Sequence, residues 1–158
     1  MRGQLTIVGQ GLAGTCLAWR VWSRGQNFRL LHLGEGRSTS VISAGLLTPV
    51  TGRNLNPSWR IAEFLDEALG FYREVEGALG EKVFHEIPIL RLFANSEERQ
   101  IFDRKNELLR PLTEAVLAEK DCPCEAPYGG VIWKGGGRLD TRRFLEASGV
   151  FFRDLGLI

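Results

Sequence analysis

Three glycines near the amino terminus, Gly9, Gly11 and Gly14, are spaced G-x-G-x-x-G and directly follow the apolar run Leu5–Val8. That spacing after a strand suits the binding of a pyrophosphate. Gly9 lets the chain turn sharply. Gly11, lacking a side chain, lets the backbone approach phosphate oxygens. Gly14 lets the following helix pack closely on the strand. Leu12 and Ala13 open that helix, whose N-terminal N–H groups and partial positive charge would face the anion. The residue that takes the ribose hydroxyls is usually an acid about 20 residues further on. Here His32 stands at that position, with Glu35 three residues later. A neutral imidazole accepts one hydrogen bond where a carboxylate accepts two. Either Glu35 reaches back, or the adenosine end binds weakly, or His32 ends a strand and serves no ligand.

The glycines need a strand, a helix and a second strand around them. Cys16, Leu17, Ala18, Val21 and Trp22 give one apolar helix face. Gly25 follows as a helix stop, and Phe28–Leu33 reads as the second strand. The whole fits a βαβ unit of about 30 residues. From Arg37 to Asn56 the chain is small and polar, too long for an idle linker. Asn56 and Pro57 then read as the N-cap and first position of a helix carrying Ile61, Leu65, Ala68, Tyr72, Val75 and Leu79, ended by Gly77 and Gly80. Val83–Ile87 and Ile89–Phe93 read as strands. A helix starts at Ser96, and Pro111 divides it from a shorter helix. Val131–Trp133 reads as a strand. Asp140 caps a last helix in which Gly149 is unfavourable. Leu157 and Ile158 read as the first residues of another strand.

Composition narrows the function classes. A net charge of +1 gives no electrostatic case for nucleic acid or a membrane surface. No apolar run reaches the roughly 20 residues of a membrane span, and no signal peptide is expected ahead of Leu5. The cytosol is the expected compartment. Three cysteines, Cys16, Cys122 and Cys124, argue against a disulfide framework. Cys122-Pro123-Cys124 without a second pair makes a poor zinc site, and no metal is expected. Arg53, Arg60 and Arg91 could meet a substrate carboxylate through bidentate pairing, although each reads more simply as a surface or interdomain residue. His85 reads as structural. The acids Glu63, Asp66, Glu67, Glu74 and Glu76 read as the solvated face of a helix.

Three segments together resemble the N-terminal part of the FAD-dependent D-amino-acid oxidase / glycine oxidase family, the DAO-type oxidoreductases. They are Val8–Gly14, then Ser38-Thr39-Ser40 with Ala44–Arg53, then Gly135–Asp140 leading into a helix. The middle segment is the most specific. The resemblance implies an α/β chain with a Rossmann-like FAD/NAD(P)-binding fold and an inserted α+β substrate-domain segment, its C-terminal half absent. It implies an FAD-binding domain over 1–55, the first part of the inserted domain over 56–134, and a return to the FAD-binding domain over 135–158. It implies FAD as cofactor and oxidation of the C–N bond of a small amine or amino acid by hydride transfer to flavin. Carried over by position, Gly9, Gly11, Leu12, Ala13 and Gly14 would cradle the pyrophosphate. Ser38, Thr39 and Ser40 would bond phosphate and ribitol oxygens. Ala44, Gly45, Leu46 and Leu47 would lie along the isoalloxazine.

No residue in the chain reads as a catalytic base. The 158 residues are expected to be a fragment without turnover of its own. The alternative is a non-catalytic remnant or nucleotide-binding module. An NAD(P)-dependent dehydrogenase fits less well, because the Ser38–Gly52 loop has no use there.

Overall fold

The computed structural model describes residues 5–32 and 39–158. It is a mixed α/β chain that divides into two compact units. Unit 1 comprises residues 1–45, 71–84 and 139–158; unit 2 comprises residues 46–70 and 85–138.

Unit 1 begins with β1 (Leu5–Val8), α1 (Leu12–Ser23) and β2 (Phe28–Leu31). The two strands are parallel, with Leu5 opposite Phe28 and Val8 opposite Leu31. The expected β–α–β order is therefore present, and Gly25 leaves α1 with φ +64°. Ile7, Phe28 and Leu30 are buried, whereas Val8 and Leu31 are exposed. Alternation in the strands thus aims one face of the pair into the core. Helix α2 (Ile61–Leu79) brings Phe71 and Val75 into this core from its second half. Helix α3 (Thr141–Asp154) completes the unit; Asp140 caps it by accepting from the Arg143 N–H at 3.0 Å. Its Phe152 meets Trp19 at 4.9 Å and Phe28 edge-on at 5.5 Å between ring centroids. Beyond α3, the Leu157 carbonyl accepts from the Leu30 N–H at 2.8 Å. Leu31 turns its carbonyl to the β1 side, bonding Gly9, so Leu157 lies on the opposite edge of β2, where the sequence expects a strand to begin.

Unit 2 is built on an antiparallel sheet of three strands in the order Ile89–Leu92, Gly130–Trp133, Thr113–Leu117. Val50, Leu55, Phe93, Phe102, Leu109, Val131 and Trp133 form its core. Two expectations fail here. Asn56–Pro57 is not a helix start but a short strand, paired antiparallel with Val50–Thr51. The Ser58 N–H bonds the Pro49 carbonyl at 2.9 Å, so the hairpin consumes the residues that would cap a helix, and α2 starts at Ile61. After Pro111 the chain forms the strand Thr113–Leu117 rather than a short helix, because it pairs with Gly130–Trp133. Five residues are too few for a helix to outweigh that pairing.

Candidate functional site

The glycine motif lies at the carboxyl ends of two parallel strands, where open α/β sheets bind their ligands. The Gly9 N–H donates to the Leu31 carbonyl at 2.7 Å and ties the motif to the end of β2. Gly9 has φ +98°, a conformation closed to most side chains. A Cβ on Gly14 would stand 1.9 Å from the Gly9 carbonyl oxygen. Glycine at 14 is therefore what lets α1 come down on the turn. Gly11 is the extended N-cap of α1, and its carbonyl accepts from the Thr15 N–H at 2.9 Å. Ala13 and Gly14 consequently have no intrahelical acceptor for their N–H groups. The first turn of α1 carries no acidic residue to compete with an anion.

The second segment comes to the same place. Thr39–Ile42 is a 3-10 turn, and its Ser40 Oγ accepts from the Leu12 N–H at 3.1 Å. A hydroxyl from the serine-rich segment thus stands at the helix terminus that the glycine motif exposes. Ser43 accepts, through its carbonyl, from Thr141 Oγ1 at 3.2 Å. Gly45, at φ +68°, accepts from the Leu139 N–H at 2.9 Å, and a Cβ on it would lie 2.0 Å from the Leu139 oxygen. The small residues of this loop are therefore used for close backbone approach. Donor-rich backbone, absent side chains and a polar hydroxyl at one helix N-terminus fit the phosphate portion of a dinucleotide.

His32, half-buried, directly follows β2 beside this turn. Gly9, Gly11, Leu12, Ala13, Gly14, His32, Thr39, Ser40, Ala44 and Gly45 all belong to unit 1. Leu46 and Leu47 belong to unit 2, where they pair antiparallel with Arg138 and Gly137. Glu35 and Ser38 lie outside the described residues.

A family model for FAD dependent oxidoreductases, DAO, matches residues 4–157. The chain belongs to this family. Solved structures of several oxidoreductases agree with this chain in fold. Iminodiacetate oxidase from Chelativorans sp. BNC1 superposes with a TM-score of 0.75 at 19% identity, over 97% of this chain and 45% of its own. L-proline dehydrogenase from P. horikoshii gives 0.68 at 14%, over 98% and 42%. Glycine oxidase from Bacillus cereus ATCC 14579 gives 0.66 at 16%, over 93% and 44%. The chain thus spans less than half the length of these solved structures.

The arginines are spoken for or lie elsewhere. Arg91 pairs with Glu98, which is only 7% exposed and also accepts from the Ala94 N–H at 2.8 Å. Arg60 pairs with its neighbour Glu63 and lies over the rings of Trp59 and Phe64. Arg53 lines a cleft of about 460 Å³ in unit 2 together with Arg91, Asn95, Glu97 and Glu98. The acids in that cleft offset the guanidinium charge. His85 is exposed on the strand Phe84–Glu86. Among the described residues, no group of three His, Cys, Asp or Glu side chains could hold a metal ion, and no helix is long and apolar enough to cross a membrane.

Sequence reasoning missed the residues that hold the glycine turn from behind. Gln10 Nε2 donates to the Leu145 carbonyl of α3 at 3.1 Å. Gly149, one turn on, leaves the space in which that amide lies. The only local signal was a glycine inside an otherwise good helix.

Proposed function

We propose that this chain is the cofactor-binding N-terminal portion of an FAD-dependent oxidoreductase that oxidises the C–N bond of an amine or amino acid. The observation that carries the reading is the turn at Gly9–Gly14, with its helix terminus open to an anion and joined there by Ser40. On this reading unit 1 supplies the Rossmann-like dinucleotide platform, and unit 2 belongs to the inserted substrate-side segment. FAD, when bound, supplies the two-electron acceptor.

The protein's share is placement. Gly9, Gly11, Leu12, Ala13 and Gly14 cradle the pyrophosphate, and the Ala13 and Gly14 N–H groups, which have no intrahelical acceptor, donate to it. Ser38, Thr39 and Ser40 supply hydroxyls to phosphate and ribitol oxygens. His32, or Glu35, accepts from a ribose hydroxyl. Ala44, Gly45, Leu46 and Leu47 offer small and apolar surface to the flat ring. The enzymes named above, an iminodiacetate oxidase, a glycine oxidase and a proline dehydrogenase, support the substrate class.

The test is titration of the chain with FAD and separately with NAD, followed by flavin fluorescence and calorimetry, on wild type and Gly11→Leu. FAD binding that is lost in the variant is the expected result. Preference for NAD, or FAD binding unchanged in Gly11→Leu, overturns the reading. His32 in the ribose position favours a second reading, a weak nucleotide-binding module. Under it, His32→Glu would tighten FAD binding roughly tenfold, one to two hydrogen bonds' worth.

A further inference from the structure

We propose that α3 is the positioning element of the candidate cofactor site, and that Gly149 is glycine so that Gln10 can lock the phosphate turn onto this helix. The inference rests on the FAD reading for its consequence, but its geometry stands apart from it. Thr141, Leu145, Gly149 and Phe152 recur at helical spacing and form one buried face of α3. That single face reaches both segments of the site. At its first turn, Thr141 holds the Ser43 carbonyl. One turn later, the Leu145 carbonyl holds Gln10. Ser148, fully buried, accepts from Trp19 Nε1 at 2.8 Å and fixes the face against α1.

Gln10 stands between Gly9 and Gly11, so its side chain is a handle on the stretch of the turn where both neighbours lack one. A helix would gain stability from any other residue but proline at 149. A Cβ there, however, would stand 2.6 Å from Gln10 Nε2. The amide is the far end of a flexible side chain, so alanine would displace it without unfolding the helix. The expected defect is therefore specific. The Gln10–Leu145 bond is lost, and the turn is free to drift from the position at which Ser40 meets Leu12.

The experiment compares wild type, Gly149→Ala, Gln10→Ala, the double variant, and Arg143→Gln, whose guanidinium pairs with Glu81 on the outer side of α3. FAD dissociation constants are read by flavin fluorescence. Amide shifts of Gly9, Gly11 and Leu12 are read by two-dimensional NMR without flavin. We expect Gly149→Ala and Gln10→Ala each to weaken FAD binding about fivefold, one hydrogen bond's worth. The double variant should be no weaker than Gln10→Ala, and Arg143→Gln should leave the affinity alone. Both single variants should shift the same turn amides. Wild-type binding with Gly149→Ala indistinguishable from it overturns the positioning role. If wild type itself binds no FAD, the cofactor reading fails, and the amide shifts still decide. Shared movement in the two variants supports the lock, and unmoved Gly9 and Gly11 amides refute it.

Discussion

Removing the Glu76 carboxylate is expected to cost far more than removing its cationic partner. Glu76 Oε1 accepts from the Val83 N–H at 2.9 Å and the Phe84 N–H at 2.8 Å, while Oε2 takes Lys82 Nζ at 2.9 Å. Glu76 is not on the solvated face that its helix period suggests: its side chain is 13% exposed, against 59% for the lysine. An exposed ammonium contributes at most about 0.5–1 kcal/mol. Two backbone donors at buried residues, left without an acceptor, cost about 1–3 kcal/mol each. Glu76→Ala should therefore lose about 3 kcal/mol, and Lys82→Ala under 1. For a domain of this size the larger loss lowers Tm by roughly 6–12 °C. The pH dependence gives an independent check. Burial alone would raise the Glu76 pKa, but the Phe84 N–H, Lys82 and the Val83 N–H together outweigh it and hold the carboxyl below its ordinary value. A carboxylate whose pKa falls on folding adds stability that is complete above its unfolded value, about 4.3. That stability disappears as pH falls through the lower folded value. Urea unfolding of wild type and Glu76→Gln, followed by circular dichroism at pH 7 and again below the folded pKa, reads it directly. The gap between them should close in acid. An equal gap at both pH values, or a Glu76→Ala loss no larger than that of Lys82→Ala, would refute the reasoning.

Gly45→Ala should destabilise by about 2–4 kcal/mol in denaturant melts, because φ is +68° and the added Cβ meets the Leu139 oxygen. Thr15→Val should be neutral or stabilise by up to about 1 kcal/mol, since the Thr15 hydroxyl is fully buried with no hydrogen-bond partner among the described residues; a loss above 1 kcal/mol in the same melts would reveal a hidden partner. Burial pushes the Cys16 thiol up to about 11, with Arg20 pulling the other way. Iodoacetamide at pH 8 should thus label exposed Cys124 first and spare Cys16 until urea unfolds the chain, as peptide mass mapping will show. Glu98→Ala should cost about 3 kcal/mol, because it strips Arg91 and the Ala94 N–H of a buried acceptor.

The sequence was legible where local chemistry decided the outcome. Gly9 and Gly14 announce a positive φ and a close approach, and the structure uses both. Asp140 caps its helix, and Gly80, at φ +72°, ends α2, whereas Gly77 lies inside it. It was illegible where partners distant in sequence decided. Asn56-Pro57 has the local chemistry of a helix start, yet cross-strand pairing with Val50–Thr51 takes it. Thr113–Leu117 has no strong period, and its strand exists because Gly130–Trp133 lies alongside. Nothing near Gln10 foretells a bond to a residue 135 positions later. The cost of Gly149 could be read, but its reason could not.

The bond from Leu157 to Leu30 also governs the order in which unit 1 can be made. Its first strands leave the ribosome early, yet the residues that fix them, Leu145, Ser148 and Leu157, emerge more than 120 positions later. Closing so long a chain is entropically tolerable, since fourfold longer loops cost only about 1.2 kcal/mol more. The penalty falls on time. Until the last helix arrives, the Gly9–Gly14 turn lacks its rear support, and Phe28 and Trp19 lack the Phe152 ring that covers them. A released chain that ends before residue 139 should therefore present an apolar surface to chaperones, while it holds all of segments 46–70 and 85–138.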